Sequence, residues 1–216
     1  MRDFPLFTTE FGVASLTLKE IPYRKTAYIR IQDVQPGDLE PLVAECRDFC
    51  RAAGAEQIYL RGYPGLEDLP LHTSVLEMRG TAWVDPQKLA CLFPVTESTV
   101  SRWRQFYNER MAEVDNAGIL EAREEGRIAD SGGAYWIHDN GALLGIGWME
   151  EERLLAVAAV PGQGERVMHS LMSLVEGAQM VLEVAETNTR AVKLYERLGF
   201  LKSREISRWY CLPERQ

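Results

Sequence analysis

The sequence has no apolar run long enough to cross a membrane, because charged or polar residues interrupt every hydrophobic stretch well before about 20 positions. Near its start, Asp3 and Pro5 break up the apolar core that a secretory signal peptide would need. We therefore expect a cytoplasmic protein that does not bind a membrane.

Cysteine and histidine are both scarce, with four cysteines, three histidines and no Cys-x-x-Cys pair. Protein metal sites usually draw ligands of these types from closely spaced positions, so we expect no metal. Cys46 and Cys50 share one face of a predicted helix, and that face is apolar. The two thiols fit either a redox pair or a buried core, and the apolar face favours the core.

Basic residues are outnumbered by acidic ones, 24 against 32, which gives a net charge of −8. A protein that binds nucleic acid through phosphate contacts usually carries the opposite balance, so we expect no nucleic-acid partner. The negative charge is compatible with a cationic amine as a substrate.

The most regular pattern lies between Arg153 and Phe200. Residues 154–160 form a continuous apolar run, which is typical of a buried strand, and a Pro-Gly-Gln-Gly loop at 161–164 ends it. An amphipathic helix, a second strand at 180–184 and a second helix follow. This β-α-β-α order predicts an α/β fold with the two strands parallel.

The loop after the first of these strands is a candidate anion site. Gly162 and Gly164 would let the backbone approach a phosphate, and the helix that follows would add its positive N-terminal end. The same two glycines also suit an ordinary tight turn, so the loop alone does not decide between the two.

A more specific signal follows, in the run Asn188-Thr189-Arg190-Ala191-Val192-Lys193-Leu194-Tyr195-Glu196-Arg197-Leu198-Gly199-Phe200. This run closely resembles the motif that closes the acyl-CoA site in the GNAT superfamily of N-acetyltransferases. The resemblance covers residues from about 95 to 212. It implies a GNAT-like α/β fold with a mixed sheet, acetyl-CoA as cosubstrate, and a small-molecule or peptide amine as acceptor.

The resemblance also assigns site residues. The expected contacts to coenzyme A are Ala158, Ala159, Val160, Gly162, Gln163, Gly164, Glu165, Arg166, Val167, Asn188, Ala191 and Tyr195. The loop is shorter than the family usually has, and Arg166 stands where the family often has a small residue. A charge-assisted contact from Arg166 to the diphosphate is expected to compensate.

Tyr195 is the catalytic candidate, since the resemblance makes it the general acid for the departing thiolate. The alternative is a packing tyrosine. No general base is identified: Glu183 qualifies if it is buried within its strand, because burial would raise its pKa. His138 and His169 have less support, and His169 is expected on the solvent side of its helix.

A helix with an apolar stripe is predicted from about Thr96, its expected cap, to Val114. In the family, the corresponding helices cover the acceptor amine. The resemblance therefore implies substrate contacts from Arg104, Tyr107, Asn108 and Glu109.

The N-terminal part of the chain predicts a hairpin at 11–34, a helix from 39, and strands at 56–61 and 74–84. Leu39, Leu42, Cys46, Phe49 and Ala53 are expected on the buried side of this helix. The order of elements here is strand, Pro-Gly, helix, Gly-Ala and strand, and the same order follows residue 154. Such an order is also common in α/β proteins that contain no repeat. We predict two domains, residues 1–88 as a partial, degenerate GNAT-like half and residues 89–216 as the GNAT domain.

Three functions fit these observations. The first is an acyl-CoA-dependent N-acetyltransferase in which the amine attacks the thioester directly. The second is a non-catalytic module that binds coenzyme A as a sensor or scaffold. The third is a structural protein that dimerises, and a homodimer is also compatible with the first.

Overall fold

The computed structural model describes residues 6–114 and 116–213. The chain forms two compact units, unit 1 (residues 1–74 and 207–216) and unit 2 (residues 75–206). Asp3 and Pro5, on which the signal-peptide argument rests, lie outside the described residues. Within the described ranges, no helix combines the length and the apolar character that a membrane span requires.

Unit 1 is built on a small mixed sheet. Its strands are β1 (Leu6–Thr8), β2 (Gly12–Thr17), β3 (Thr26–Val34), β4 (Gln57–Arg61) and the end of β11 (Leu201–Cys211). The β2–β3 pair is antiparallel, which confirms the predicted hairpin, and a helical turn, α1 (Ile21–Arg24), connects the two strands. β3 and β4 are parallel, and Tyr210 of β11 pairs with Leu60 of β4.

The helix α2 (Leu39–Ala52) covers one face of this sheet. Leu42, Cys46 and Cys50 are fully buried, so the prediction of core thiols is confirmed. Burial raises the pKa of Cys46 to about 12 and that of Cys50 to about 11. The predictions for Phe49 and Ala53 are wrong. The buried stripe follows i, i+4 spacing and leaves the Phe49 ring 45% exposed beside Phe7, and Ala53 is exposed at the C-cap of the helix.

Unit 2 contains a longer sheet with the strand order β5-β10-β9-β8-β7-β6. The strands are β5 (Leu71–Thr81), β6 (Cys91–Pro94), β7 (Ala134–Asp139), β8 (Ala142–Glu150), β9 (Arg153–Ala159) and β10 (Gln179–Ala185). The β7-β8-β9 meander is present as predicted, and its first turn uses Asn140 and Gly141 at positive φ. β5 is antiparallel to β10 over residues 75–81 and starts three residues before the predicted strand.

Helices cover both faces of the unit 2 sheet. On one face, α3 (Val100–Met111) packs Trp103 and Tyr107 with Ile146 and Trp148, and the short α4 (Glu125–Asp130) adds Ile128. The N-cap of α3 is Thr99 and not Thr96, whose backbone N–H donates to Thr99 Oγ1 in the preceding turn.

The opposite face carries α5 (Gly164–Met172) and α6 (Thr189–Arg197). The close approach of α5 depends on two glycines of β8: a Cβ on Gly147 would lie 2.4 Å from Leu171, and one on Gly145 would lie 2.8 Å from Val167. The sheet of unit 2 is therefore a layer between α3 on one side and α5 with α6 on the other.

Both units contain the predicted order of strand, Pro-Gly turn, helix, Gly-Ala and parallel strand. It runs through β3, α2 and β4 in unit 1 and through β9, α5 and β10 in unit 2, and Gly37, Gly54, Gly162 and Gly177 all have positive φ. A common origin of the two segments, and a domain boundary after residue 88, stay predictions.

Candidate active site

The parallel strands β9 and β10 separate from each other along their length. Among the described residues they pair at Arg153 with Val181 and at Leu154 with Leu182, and at no later position. β9 nevertheless continues to Ala159 and β10 to Ala185. The second half of each strand therefore borders an open slot in the sheet.

A β-bulge explains where the separation begins. Trp148 of β8 pairs with Ala156, and the next residue, Met149, pairs with Leu154, so Leu155 is an extra residue in β9. A bulge bends the strand that carries it and increases its local twist. Because Leu155 directly follows the last β9–β10 pair, the bend turns the rest of β9 away from β10.

A cleft of about 1000 Å³ occupies this slot. Nine of the twelve residues expected to contact coenzyme A line it: Ala158, Ala159, Val160, Gly162, Gly164, Glu165, Asn188, Ala191 and Tyr195. The other three, Gln163, Arg166 and Val167, are not part of its lining. Val167 is fully buried in the core beneath α5.

The expected diphosphate contact from Arg166 is not what the structure shows. The Arg166 guanidinium donates to Asp139 Oδ2 over 2.9 Å and approaches the Leu89 carbonyl at 3.4 Å. Its place in the first turn of α5 directs it to the outer side of the helix, toward the start of the β7–β8 turn. Arg190 and Arg197 line the cleft instead.

The N-terminal end of α5 faces the cleft through Gly164 and Glu165. Its first backbone bond runs from the Val167 N–H to the Gln163 carbonyl, so the N–H groups before Val167 have no acceptor within the helix. Glu165 adds a negative charge at this end, and its carboxylate forms an ion pair with Lys88. This hydrogen bond to Lys88 holds the pKa of Glu165 below its usual range.

Tyr195 lies on α6 and lines the cleft. It belongs to the core under α5 and α6, where its ring lies 6.1 Å from that of Phe200 and is 6% exposed. Burial, and then the charge of Tyr107, raises the pKa of the Tyr195 hydroxyl. Tyr107 of α3 and Tyr195 of α6 both line the cleft.

Asn188 has a second role that the sequence reasoning missed. Its side-chain oxygen accepts from the Ala191 backbone N–H at 3.2 Å, so Asn188 is the N-cap of α6. The signal was present in the sequence, because asparagine before an amphipathic helix is a common cap. The cap fixes the start of the helix that carries Tyr195.

Comparison with known proteins places this geometry in a known fold. A search with family models finds none that matches the chain. A mycothiol acetyltransferase from Mycolicibacterium vanbaalenii is 29% identical over 184 residues, which cover 76% of this chain and 58% of that protein. The chain thus spans less than two thirds of the length of this relative.

Solved structures are similar over almost the whole chain. A GNAT-family acetyltransferase from Colwellia psychrerythraea has a TM-score of 0.53 at 12% identity and is matched over 95% of this chain and 84% of that one. A GCN5-related N-acetyltransferase from Anabaena variabilis has a TM-score of 0.61 at 10% identity, over 93% of this chain and 59% of that one. The chain has the GNAT acetyltransferase fold.

Within this GNAT fold, Glu183 belongs to the lining of the cleft, whereas His138 and His169 do not. Glu183 is 48% exposed and pairs with Arg153 at 2.7 Å, so the burial that would have made it a base candidate is absent. His169 is 1% exposed, which contradicts its predicted place on the solvent side. Its Nδ1 accepts from the Asp85 backbone N–H, and burial lowers its pKa.

Arg104 and Asn108, two of the four expected acceptor contacts, bond to the segment that follows α3. Arg104 pairs with Glu125 at 2.7 Å, and Asn108 bonds to both the N–H and the carbonyl of Leu120. These bonds fasten the segment after α3 to the helix. Tyr107 and Glu109 line the cleft, and their contact with an acceptor stays a prediction.

No group of three or more potential metal-ligating side chains occurs in the part of the chain that the structure describes. The acidic residues that line the cleft are Glu109, Glu113, Glu165 and Glu183. Two of them, Glu165 and Glu183, are held by cationic partners. On the α3 side of the cleft, Glu109 and Glu113 outnumber the one cationic side chain of the lining there, Arg110.

Proposed function

We propose that this chain is an N-acetyltransferase that uses acetyl-CoA and acts on a primary amine of a small molecule or peptide. The observation that carries the proposal is the slot between β9 and β10, with Tyr195 in the lining of its cleft. A slot between diverging strands offers unpaired backbone groups along one edge, which suit an amide-rich chain lying as an extra strand.

The residues around the slot fit coenzyme A. Small side chains at Ala158 and Ala159 leave room for a pantetheine chain beside β9. The free N–H groups at the start of α5 suit the diphosphate, and Arg190 and Arg197 add positive charge to the same side. Lys88 neutralises Glu165, which would otherwise repel a phosphate there.

The chemistry follows from where each group lies. The cosubstrate supplies an activated thioester, whose carbon forms a bond to the amine nitrogen while its bond to sulfur breaks. A backbone N–H near Ala159 can donate to the carbonyl oxygen as that oxygen gains charge. The Tyr195 hydroxyl gives its proton to the departing sulfur and regains one from solvent, and the neutral amine nitrogen loses one proton to solvent as the amide forms.

The acceptor enters from the α3 side of the sheet, since α5 and α6 hold the other side. Glu109 and Glu113 on that side attract a cationic amine before it loses its proton. We infer that unit 1 is a diverged, non-binding copy of this arrangement. In support, β3 and β4 pair over all five residues of β4, which leaves no slot of this kind in the described part of unit 1.

The test is free-thiol release from acetyl-CoA with a panel of primary amines. We expect thiol release that requires an amine, and its loss in an Ala159→Trp variant that fills the slot. Leu201→Trp is the matched control, because Leu201 is 73% exposed and does not line the cleft. A thermal shift with coenzyme A but no thiol release with any amine would indicate a binding module, and no shift at all would contradict both functions.

A further inference from the structure

Asn116 lies on the loop between α3 and α4 and lines the cleft. Its side-chain oxygen and nitrogen are both buried, and among the described residues neither has a hydrogen-bond partner. Buried amide groups are almost always hydrogen-bonded, and leaving one unpaired costs about 1–3 kcal/mol. An unpaired carboxamide in a cleft wall is therefore an observation that needs a cause.

The backbone of Asn116 is also unusual, with φ at 56°. The Ala117 N–H donates to the Val114 carbonyl at 3.2 Å, so the chain turns sharply at this position. Asparagine tolerates the left-handed region better than most residues, but glycine would satisfy the turn without a side chain to bury. The turn alone thus does not account for the carboxamide.

The loop that carries Asn116 continues from α3, on the face of the sheet opposite α5 and α6. The side chains of Glu109 and Glu113 line the cleft together with it. In the proposed function, the acceptor amine enters the cleft from this side. Asn116 is therefore placed to contact the acceptor and not the diphosphate end of the cosubstrate.

A carboxamide presents one acceptor oxygen beside an N–H donor. Its best complement is a group with the same pair reversed, which is another amide. We propose that Asn116 is a specificity-determining residue that binds an amide or peptide group of the acceptor, so that the preferred substrate is a primary amine with an amide nearby. This inference rests on the proposed function and narrows its substrate class.

An amide could reach Asn116 from two sources, the acceptor or the pantetheine arm. The position on the α3 side favours the acceptor. The two sources differ in what an Asn116 variant changes: contact with the acceptor alters selection among amines, whereas contact with pantetheine alters the affinity for coenzyme A.

The test uses paired primary amines of equal length with and without an amide, such as glycylglycine amide and hexylamine. We expect wild-type kcat/KM for the amide-bearing amine to exceed that of its partner by at least tenfold, since a site built to pair a polar group rejects the analogue without it. Saturation-transfer NMR of the same amines on the full chain reports binding without turnover.

Asn116→Gly removes the carboxamide and keeps the left-handed backbone accessible, so the loop can hold its shape. This variant should reduce the preference for the amide-bearing amine about tenfold or more, through KM, with the Kd for coenzyme A unchanged. Asn140→Gly is the control, because Asn140 also has positive φ but lies in the β7–β8 turn outside the cleft.

A preference that survives in Asn116→Gly, or equal kcat/KM for both amines in the wild type, would overturn the inference while the acetyltransferase proposal stands. A weaker Kd for coenzyme A with unchanged amine preference would assign Asn116 to the pantetheine arm. If the wild type binds neither coenzyme A nor any amine, both the proposed function and this inference fail.

Discussion

At the scale of single residues, the proposed function depends most on Tyr195 as the proposed proton donor. Burial of Tyr195, and secondly its electrostatic interaction with Tyr107, raises the pKa of the Tyr195 hydroxyl above the ordinary value of 10.0. A raised pKa keeps the hydroxyl protonated at neutral pH, which is the form that a general acid needs.

Replacement of Tyr195 by phenylalanine should therefore lower kcat by about 10²- to 10⁴-fold. The phenyl ring retains the contact with Phe200, so Tm and the KM for acetyl-CoA should stay close to the wild-type values. Steady-state kinetics and a melting curve on the same preparation measure these quantities. The wild-type rate should not fall on the alkaline side until above pH 10, because a general acid loses activity only as pH rises through its pKa.

A suitable control is Tyr135→Phe, because the Tyr135 hydroxyl bonds to the Gly132 carbonyl and does not line the cleft. That variant should keep its kcat. Full turnover by the Tyr195→Phe variant would remove Tyr195 from the mechanism.

At the scale of secondary-structure elements, Glu77 connects strands of the unit 2 sheet. The side chain is fully buried on β5 and accepts from Arg79 and from Arg204 of β11 at 2.8 Å each. Arg153 of β9 approaches it at 4.0 Å and also pairs with Glu183 of β10. The hydrogen bonds from Arg204 and Arg79 lower the pKa of Glu77 to about 2.

This shift predicts a specific acid sensitivity. A carboxyl whose folded-state pKa lies at about 2, below its ordinary 4.5, stabilises the fold fully above pH 4.5 and loses that contribution as pH falls toward 2. Glu77→Gln should be less stable than the wild type at pH 7, and its urea midpoint should fall less between pH 4.5 and pH 2.

The exposed Glu152 in the β8–β9 turn provides the control, since Glu152→Gln should follow the wild type at every pH. An equal loss of stability on acidification in the wild type and Glu77→Gln would show that Glu77 does not carry this effect.

The elements also show what the sequence could and could not predict. The β-α-β-α order of residues 154–198, the Asn-Gly hairpin and the buried thiols are confirmed, because local periodicity and turn chemistry determine them. The pairing of β5 with β10 joins residues about 100 positions apart, and no local pattern encodes it. The burial of Glu77 and of His169 depends on such distant partners, so it could not be predicted from the sequence either.

For the site, the motif around Tyr195 and Asn188 could be recognised in the sequence. The direction of the Arg166 side chain could not be predicted from it. Its partner Asp139 lies 27 positions earlier, and only the folded chain brings the two side chains together. Asn116 carried no recognisable signal either, since an unpaired carboxamide is a property of its surroundings and not of the sequence.

At the scale of the whole molecule, the two units differ in the one feature on which the proposed function depends. Unit 2 has parallel strands that separate after two residue pairs, whereas the parallel strands of unit 1 pair at all five positions of β4. One slot per chain follows from this difference among the described strands, even though both units share a strand-helix-strand order.

Isothermal titration of the full chain with acetyl-CoA tests this claim most directly. We predict saturable binding with one molecule per chain, abolished by Ala159→Trp and retained by Leu201→Trp. Absence of binding, a stoichiometry of two, or full binding to Ala159→Trp would contradict a single acyl-CoA slot between β9 and β10.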